Sequence, residues 1–221
     1  MSTMPLQTKM KLVNSRLVGW YESNGRDFPW RYTTNPYHVL IAEMLLRRTT
    51  ATAVAKVYPD FISRFDSPKT LAQARVSSIA KQITTLGLQN QRATHLKQAA
   101  ISIVNDHNSE IPNDFDKLLN LPGVGRYVAS AVLNFAFRKP VSMIDGNMLL
   151  FISRVFGLKF TGPEDEDAWS FMDSFGPESQ QSIFYWSIID LVGTVCIRQS
   201  PRCEICPLDE LCSWKKKEAK R

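Results

Sequence analysis

Residues 120–129 read Asn120-Leu121-Pro122-Gly123-Val124-Gly125-Arg126-Tyr127-Val128-Ala129, which places a Gly-x-Gly turn directly before a helical run. Glycine permits positive φ and carries no side chain, so backbone N–H groups at the start of a helix can approach an anion closely. A phosphate group fits such a turn. The turn alone is weak evidence, because most Gly-x-Gly pairs are simple tight turns and no strand precedes this one to support a dinucleotide site.

The sequence on both sides of the turn predicts helices. Apolar residues recur at steps of three and four, as in Val39, Leu40, Met44 and Leu45, and convincing β alternation is absent. Glycine or proline marks the breaks, including Gly176-Pro177. Further helical runs are predicted over about 91–106, 126–138, 146–156, 166–174 and 179–195. We therefore expect about ten short helices and an all-α fold class.

Size and charge narrow the function. The chain has 221 residues, of which 44% are hydrophobic, enough for one large core or two small lobes. Its net charge of +6 suggests a polyanionic partner, nucleic acid first, although a solvated lysine-rich tail explains the charge equally well. The N-terminus lacks a long apolar segment and no stretch approaches about 18 apolar residues. No membrane segment is expected, and the predicted location is the cytoplasm.

All four cysteines lie close to the C-terminus, at Cys196, Cys203, Cys206 and Cys212. Four thiolates in one compact loop can enclose a metal centre, whereas disulfides are rare in reducing compartments. Structural zinc sites usually show two Cys-x2-Cys knuckles, and this loop has only one, flanked by gaps of six and five residues. On spacing alone, zinc and a [4Fe-4S] cluster fit equally well.

The segment from Leu121 to Arg126 resembles the hairpin of the helix-hairpin-helix DNA glycosylases, in which the same LPGVGR string joins two helices and holds the DNA backbone. About twenty residues later, the segment 143–147 matches the family's essential aspartate at the start of the next helix. The four cysteines follow at the spacing of the iron-sulfur branch, which includes endonuclease III and mismatch-specific glycosylases. The resemblance spans about residues 27–212 and favours a [4Fe-4S] cluster over zinc.

The resemblance and the chain order together predict a two-lobed helical HhH-GPD fold. Residues 27–139 would form one lobe, with the helix-hairpin-helix at about 112–138, and residues 1–26 plus 140–221 the other, with the cluster loop at 196–212. A cleft between two basic helical lobes would suit a DNA duplex and an extruded base. The expected partner is double-stranded DNA containing a mismatched or damaged base, the protein is expected to be a monomer, and the expected location is the nucleoid.

Two carboxylates can divide the work of breaking an N-glycosidic bond. Asp145 is predicted at a helix N-terminus that favours its charged form, where it would stabilise a cationic sugar or position water. Glu43 lies in an apolar run that would raise its pKa, and it falls where adenine glycosylases keep a base-protonating glutamate. Without the resemblance, a helix cap at Asp145 and an i,i+4 pair between Glu43 and Arg47 explain both residues.

Tyr127 decides the reaction type within the family. In bifunctional members, the residue after the Gly-Val-Gly-Arg-like turn is a lysine that attacks the sugar and forms a Schiff base. Tyrosine has no amine, so a monofunctional glycosylase that leaves an abasic site is expected. The family pattern places Tyr127 in the base pocket with Asp145 and Asn147, whereas a core aromatic on the helix is the alternative.

Two further features of the sequence bear on which base is excised. Arg47-Arg48 replaces the Gln-Gln pair of adenine glycosylases, which also carry an 8-oxoguanine-reading domain, and this chain ends nine residues after Cys212. These features favour thymine or uracil opposite guanine, since arginine pairs bidentately with guanine acceptors. An A/G-mismatch adenine glycosylase and an endonuclease III-type lyase remain alternatives, as does phosphate contact alone for the arginines. The expected DNA contacts are Leu121, Gly123, Val124, Gly125, Arg126, Arg47, Arg48, Gln91 and Arg92.

Overall fold

The computed structural model describes residues 4–176 and 181–218, and every regular element in these ranges is helical, which confirms the all-α prediction. Short 3₁₀ turns cover Pro29–Tyr32, Thr84–Leu86 and Cys203–Ile205. Pro177 and the first two positions of the run predicted at 179–195 lie outside the described residues. The twelve α-helices of the described part are α1 (Leu6–Asn24), α2 (Pro36–Leu46), α3 (Ala51–Arg64), α4 (Pro68–Gln73), α5 (Val76–Gln82), α6 (Gln89–Asp106), α7 (Phe115–Leu119), α8 (Arg126–Phe135), α9 (Gly146–Phe156), α10 (Glu166–Asp173), α11 (Ser182–Thr194) and α12 (Ser213–Glu218).

Helix α2 is buried on all sides. Asn35 caps its N-terminus by accepting hydrogen bonds from Tyr37 N at 2.9 Å and His38 N at 3.3 Å, and Pro36 supplies a φ suited to the first helical position. The helix packs against α3, α6 and α8, and every residue from position 39 to position 45 is buried. Glu43, one turn before the end of this helix, is therefore enclosed by protein and not exposed to solvent.

The density of contacts divides the chain into two compact units. One comprises Asp27–Lys139, in which α6 packs on α4 and α5 as well as on α2. The other comprises Met1–Arg26 together with Pro140–Arg221, in which α11 packs on α1 and α9. Among the described residues, none of the helices combines the length and apolarity that spanning a lipid bilayer requires.

A buried ion pair fixes the point at which the chain leaves its first helix. The Asp190 carboxylate is 0% exposed and accepts hydrogen bonds from Arg26 Nε at 2.8 Å and from Arg26 N at 2.6 Å. Gly193, one turn later on α11, makes room for the guanidinium, since a Cβ there would lie 3.1 Å from it. Removing one partner of such a buried pair leaves the other charge poorly compensated.

We predict that Asp190→Asn lowers the free energy of unfolding by about 3 kcal/mol, because Arg26 would then be desolvated without its counter-charge. Urea titration followed by circular dichroism measures the change. The matched control is Glu210→Gln, which breaks the exposed Arg16–Glu210 pair in the same unit, at 2.9 Å, and should cost less than about 1 kcal/mol. Equal losses in the two variants would contradict a special role for the buried pair.

Candidate active site

The Gly-x-Gly turn joins α7 to α8, and its residues differ in burial: some pack on the core and others face solvent. Leu121 and Val124 are buried, and Val124 N donates to Leu121 O at 3.0 Å. Gly125 is exposed and is the N-cap of α8, where it offers no side chain to the helix end. The side chains of Leu121 and Val124 therefore hold the turn on the core, so any contact they make with a ligand uses their backbone.

Gly123 is required by its surroundings. Its φ is +79°, and a Cβ on it would lie 2.8 Å from the Cβ of His95 on α6. Its carbonyl accepts a hydrogen bond of 2.7 Å from Arg47 Nη1. The close fit against His95 on α6 and the hydrogen bond from Arg47, which follows α2, therefore fix the position of the turn.

Two segments that are far apart in sequence form a polar pocket of about 220 Å³. Four of the predicted DNA contacts line it, from the end of α2 and from the start of α6. Arg48 on one wall and Leu88 on the other both have positive φ, at 52° and 50°, which is unusual for residues with a side chain. The lining residues are Met44, Arg47, Arg48, Leu88, Gln91, Arg92, His95 and Leu96.

Leu88 is a member of this pocket that the sequence analysis missed. Its side chain is 54% exposed although it is apolar, and it precedes α6 in the left-handed conformation. A signal for it is present in the sequence, since Leu88 directly follows Gly87 and lies before the helical run predicted at 91–106. Gln91, one turn later, is also exposed.

Arg92 differs from the other predicted DNA contacts. Its side chain is buried, at 9% exposure, and the guanidinium donates to four backbone carbonyls. Burial, followed by the nearby charge of Arg47, lowers the pKa of Arg92. The geometry gives it a structural role and offers no support for the predicted DNA contact.

Glu43 lies one turn before the end of α2 and is 4% exposed. Its Oε2 atom is buried and accepts no hydrogen bond from the described residues, although the side chain has other interactions. Burial is the main cause that raises the pKa of the Tyr58 phenol, and the charge of the Glu43 carboxylate adds to it. Arg47, the alternative partner of Glu43, donates a hydrogen bond from Nη1 to the carbonyl of Gly123.

Tyr127 occupies the first turn of α8 and is half-buried. It is neither a fully enclosed core residue nor a fully exposed one. Trp30, in contrast, is buried in an aromatic group, stacked on Phe28 at 4.9 Å between ring centroids and edge-on to Tyr58 at 5.5 Å.

Asp145 is the N-cap of α9, as the sequence pattern predicts. Its Oδ1 accepts from the backbone N atoms of Asn147 and Met148, both at 2.8 Å, and its Oδ2 accepts from Asn147 Nδ2 at 3.0 Å. Capping and catalysis are therefore compatible, since one oxygen holds the helix and the other is oriented by the amide of Asn147. The arrangement gives a carboxylate with a fixed direction.

Partial burial of Asp145 opposes the helix end, which the sequence predicts to favour its charged form. Desolvation is the largest influence and raises the pKa of Asp145, and the hydrogen bonds from Met148 and Asn147 offset it only in part. Burial disfavours a carboxylate more strongly than a helix N-terminus favours it here. The pKa of Asp145 is therefore raised above its usual value.

The four cysteines line a single small cavity, and Arg154 lies on its wall. Burial, with a smaller contribution from the neighbouring thiolates, raises the pKa of Cys206 to about 11. The buried Arg154 guanidinium lies 3.4 Å from Cys196 Sγ and donates to the carbonyls of Cys196, Ile197 and Arg198 at 3.0, 3.0 and 2.6 Å. No group of three or more His, Cys, Asp or Glu side chains in the described ranges is arranged to hold a metal ion.

Comparison with known proteins adds independent information. Residues 41–170 match the model of the family described as HhH-GPD superfamily base excision DNA repair protein. A thymine/uracil-DNA glycosylase of Methanothermobacter thermautotrophicus is 36% identical over 95% of this chain and 96% of its own length. Its counterpart in Pyrobaculum aerophilum is 40% identical over 87% of this chain and 86% of its own length. The solved structure of a thermostable thymine-DNA glycosylase is 35% identical, with a TM-score of 0.89 over 95% of this chain and 98% of that protein.

The raised pKa of Asp145 predicts a stability effect of definite sign. A folded-state pKa above the unfolded value means that the folded protein holds the proton more tightly, so stability falls as pH rises towards that pKa. Asparagine retains an oxygen that can cap the helix without carrying the charge. We expect Asp145→Asn to unfold at a temperature equal to or above that of the wild type at pH 7, with the difference shrinking in acid.

Thermal unfolding at a series of pH values measures this effect, and Asp145→Ala is the control that removes the cap. The alanine variant should be less stable than the asparagine variant by about 1 kcal/mol. If Asp145→Asn is less stable than the wild type at pH 7 and recovers in acid, the sign of the shift is wrong.

Proposed function

We propose that this chain, which belongs to the HhH-GPD superfamily of base excision DNA repair proteins, is a monofunctional DNA N-glycosylase that removes thymine or uracil paired with guanine. The observation that carries the proposal is the oriented Asp145 carboxylate at the start of α9. Its support is the similarity, over nearly the whole chain, to proteins named thymine/uracil-DNA glycosylases.

Asp145 would act on the sugar. When the bond between C1′ and the base breaks, the bonding electron pair leaves with the base, and positive charge develops on the sugar. An oriented carboxylate stabilises that charge, and it can accept the proton of the water whose oxygen adds to C1′. The hydrogen bond from Asn147 Nδ2 keeps Oδ2 in one direction, which makes Asn147 a positioning residue for Asp145.

Glu43 would act on the departing base. Desolvation disfavours a carboxylate, so a carboxyl buried in α2 can still hold the proton that the base needs at a pH where an exposed glutamate has lost it. A proton given to the base makes it a better leaving group. One acid at the base and one carboxylate at the sugar divide the reaction as the two carboxylates of a glycoside hydrolase do.

Tyr127 supports hydrolysis as the outcome. A phenol cannot form a Schiff base with the opened sugar, so the route that leads to strand cleavage has no nucleophile at this position. The product is then a DNA strand that lacks one base and remains continuous until it is treated with alkali.

The pocket at the end of α2 would read the DNA around the extruded nucleotide. Arg47 and Arg48 bring positive charge and planar donors that suit guanine O6 and N7. Leu88, exposed and apolar beside them, suits insertion between base steps. The turn that ends at Gly125 presents a helix start to a phosphate, and Arg126 follows it.

The cysteine loop would hold a [4Fe-4S] cluster through Cys196, Cys203, Cys206 and Cys212. The fit rests on the donor set: four thiols share one cavity, and the Arg154 guanidinium beside it favours an anionic occupant. Four sulfurs around a cavity suit a cluster better than a single ion, which draws its ligands to one point. When bound, the cluster supplies cross-links that hold residues 196–212 in place.

Activity is tested in single-turnover assays on duplexes containing G/T, G/U, A/G and A/8-oxoguanine. We expect base release from G/T and G/U, strand cleavage only after alkali, and no adduct after borohydride treatment. Asp145→Asn and Glu43→Gln should each lose about a hundredfold or more in rate while retaining DNA binding. The exposed Asp60→Asn and Glu110→Gln are matched controls and should react at the wild-type rate.

Each part of the proposal has its own contradicting result. A borohydride-trapped adduct would show a lyase, and reaction with adenine substrates alone would show the wrong base. Full activity in Asp145→Asn would exclude Asp145 from the chemistry. Binding without base release from any duplex would indicate a non-catalytic DNA-binding protein.

The cofactor is tested on purified protein by visible absorption and by metal and sulfide analysis. We expect a brown protein with about four irons and about four acid-labile sulfides per chain. Cys206→Ser should lose the colour, while Ser200→Ala in the same loop should keep it. A colourless wild-type protein with about one zinc per chain would overturn the cluster assignment.

A further inference from the structure

Arg92 joins two segments that carry most of the polar pocket. From the first turn of α6, its Nε donates to Gly87 O at 3.0 Å. Its Nη1 donates to Met44 O at 3.3 Å and to Leu45 O at 3.2 Å, and its Nη2 donates to Arg47 O. One planar group therefore binds the last turn of α2, the residue after it, and the turn before α6.

The chemistry of the two ends explains why an arginine is found here. The last carbonyls of a helix have no partner within the helix and carry the negative end of its dipole. A desolvated guanidinium needs several acceptors, and Arg92 has these four carbonyls as its acceptors. Arg92 thus acts as a C-terminal cap for α2 supplied from another helix.

Both loops that Arg92 holds are conformationally unusual. Arg48 adopts φ +52° directly after the Arg47 carbonyl that Arg92 binds, and Leu88 adopts φ +50° directly after Gly87. Such conformations persist only where the surroundings hold them in place. The Arg47 side chain extends the connection to the hairpin through Gly123 O. Arg92 is the shared support of these parts.

We propose that Arg92 is a positioning residue that sets opposite-base selectivity by fixing segments 45–50 and 87–91 in one geometry. The proposal rests on the proposed function, because it assigns those segments to the reading of the unpaired guanine. Arg92 itself does not contact DNA. It keeps Arg47, Arg48 and Leu88 at the distances that discrimination between bases requires.

Lysine is the informative replacement. It keeps the positive charge and much of the buried stem, but a single ammonium cannot reach Gly87 O, the two α2 carbonyls and Arg47 O as a planar fork does. Arg64→Lys, an exposed position on α3, is the matched control for the same chemical change. Gly87→Ala is the second variant, because φ +72° with ψ 161° at Gly87 is a conformation that only glycine adopts easily.

The first measurement is amide hydrogen exchange, which needs no activity. We expect Arg92→Lys to speed exchange in 45–50 and 87–91 together, by about tenfold, and to leave α11 unchanged. Gly87→Ala should speed exchange in 87–91 and leave 45–50 largely protected. The hydrogen bonds by which Arg92 holds segments 45–50 and 87–91 together can be called the Arg92 clamp. If Arg92→Lys leaves both segments as protected as in the wild type or in Arg64→Lys, this clamp is overturned.

The second measurement compares single-turnover rates for uracil opposite guanine and opposite adenine, at saturating enzyme and as a function of enzyme concentration. We expect Arg92→Lys to lower the G/U-to-A/U rate ratio about tenfold and to raise the enzyme concentration for half-maximal rate on G/U. The saturating rate on G/U should fall less than threefold, because Glu43 and Asp145 are retained. Thermal unfolding checks that the variant is folded.

The outcomes separate the two proposals. Faster exchange in both segments with an unchanged rate ratio would make Arg92 merely structural and overturn this inference. A proportional loss on both substrates would do the same, since a general loss of fold lowers both rates. If the wild type releases no uracil from either duplex, the proposed function fails, and the inference that rests on it fails too, even where the exchange results establish the clamp.

Discussion

The unsatisfied backbone groups at the ends of α-helices are the constraint on which this structure depends. Each helix leaves four N–H groups and four C=O groups without intrahelical partners, and a molecule built of short helices has many such ends. Asn35 satisfies the start of α2, Arg92 satisfies its end, and Asp145 satisfies the start of α9. The start of α8 has the exposed Gly125 as its N-cap, so no side chain covers the backbone N–H groups that a phosphate could approach there.

Two of the residues to which a role is assigned, Asp145 and Arg92, lie in surroundings that disfavour their charged forms. Desolvation raises the pKa of Asp145 despite the N–H groups that it caps, and desolvation lowers the pKa of Arg92 despite four carbonyl acceptors. A surface residue could cap either helix end without this cost. The desolvation of the partly buried Asp145 is explained if it faces a substrate sheltered from water, and the burial of Arg92 is explained if it holds loops in conformations that they would not adopt alone.

The sequence predicts what depends on neighbours along the chain. Helices were found because periodicity and turn residues are local, and Asp145 was placed at a helix start because Asp-Gly-Asn after an apolar run is a local signature. The net effect on the pKa of Asp145 was missed, since it depends on packing from residues elsewhere in the chain. The support that Arg92 gives to α2 was missed for the same reason: its carbonyl partners on and just after α2 lie 45 to 48 residues earlier. Arg154, whose acceptors lie 42 to 44 residues later, gave no sequence signal either.

The hairpin motif shows why some functional sequences are recognisable and others are not. Leu121 and Val124 are buried, and Gly125 is exposed at the helix start. Gly123 must be a glycine because its φ is positive and because a Cβ would clash with His95. Almost every position is constrained, some by the core and some by the surface that the turn presents. The pocket at the end of α2 distributes the same two tasks over separate segments, with Arg92 supporting from one helix what Arg47, Arg48 and Leu88 present from two loops. A functional motif can be recognised in a sequence when the residues that hold the site and those that contact the ligand are neighbours along the chain. Where they lie on separate segments, the structure is needed to find them.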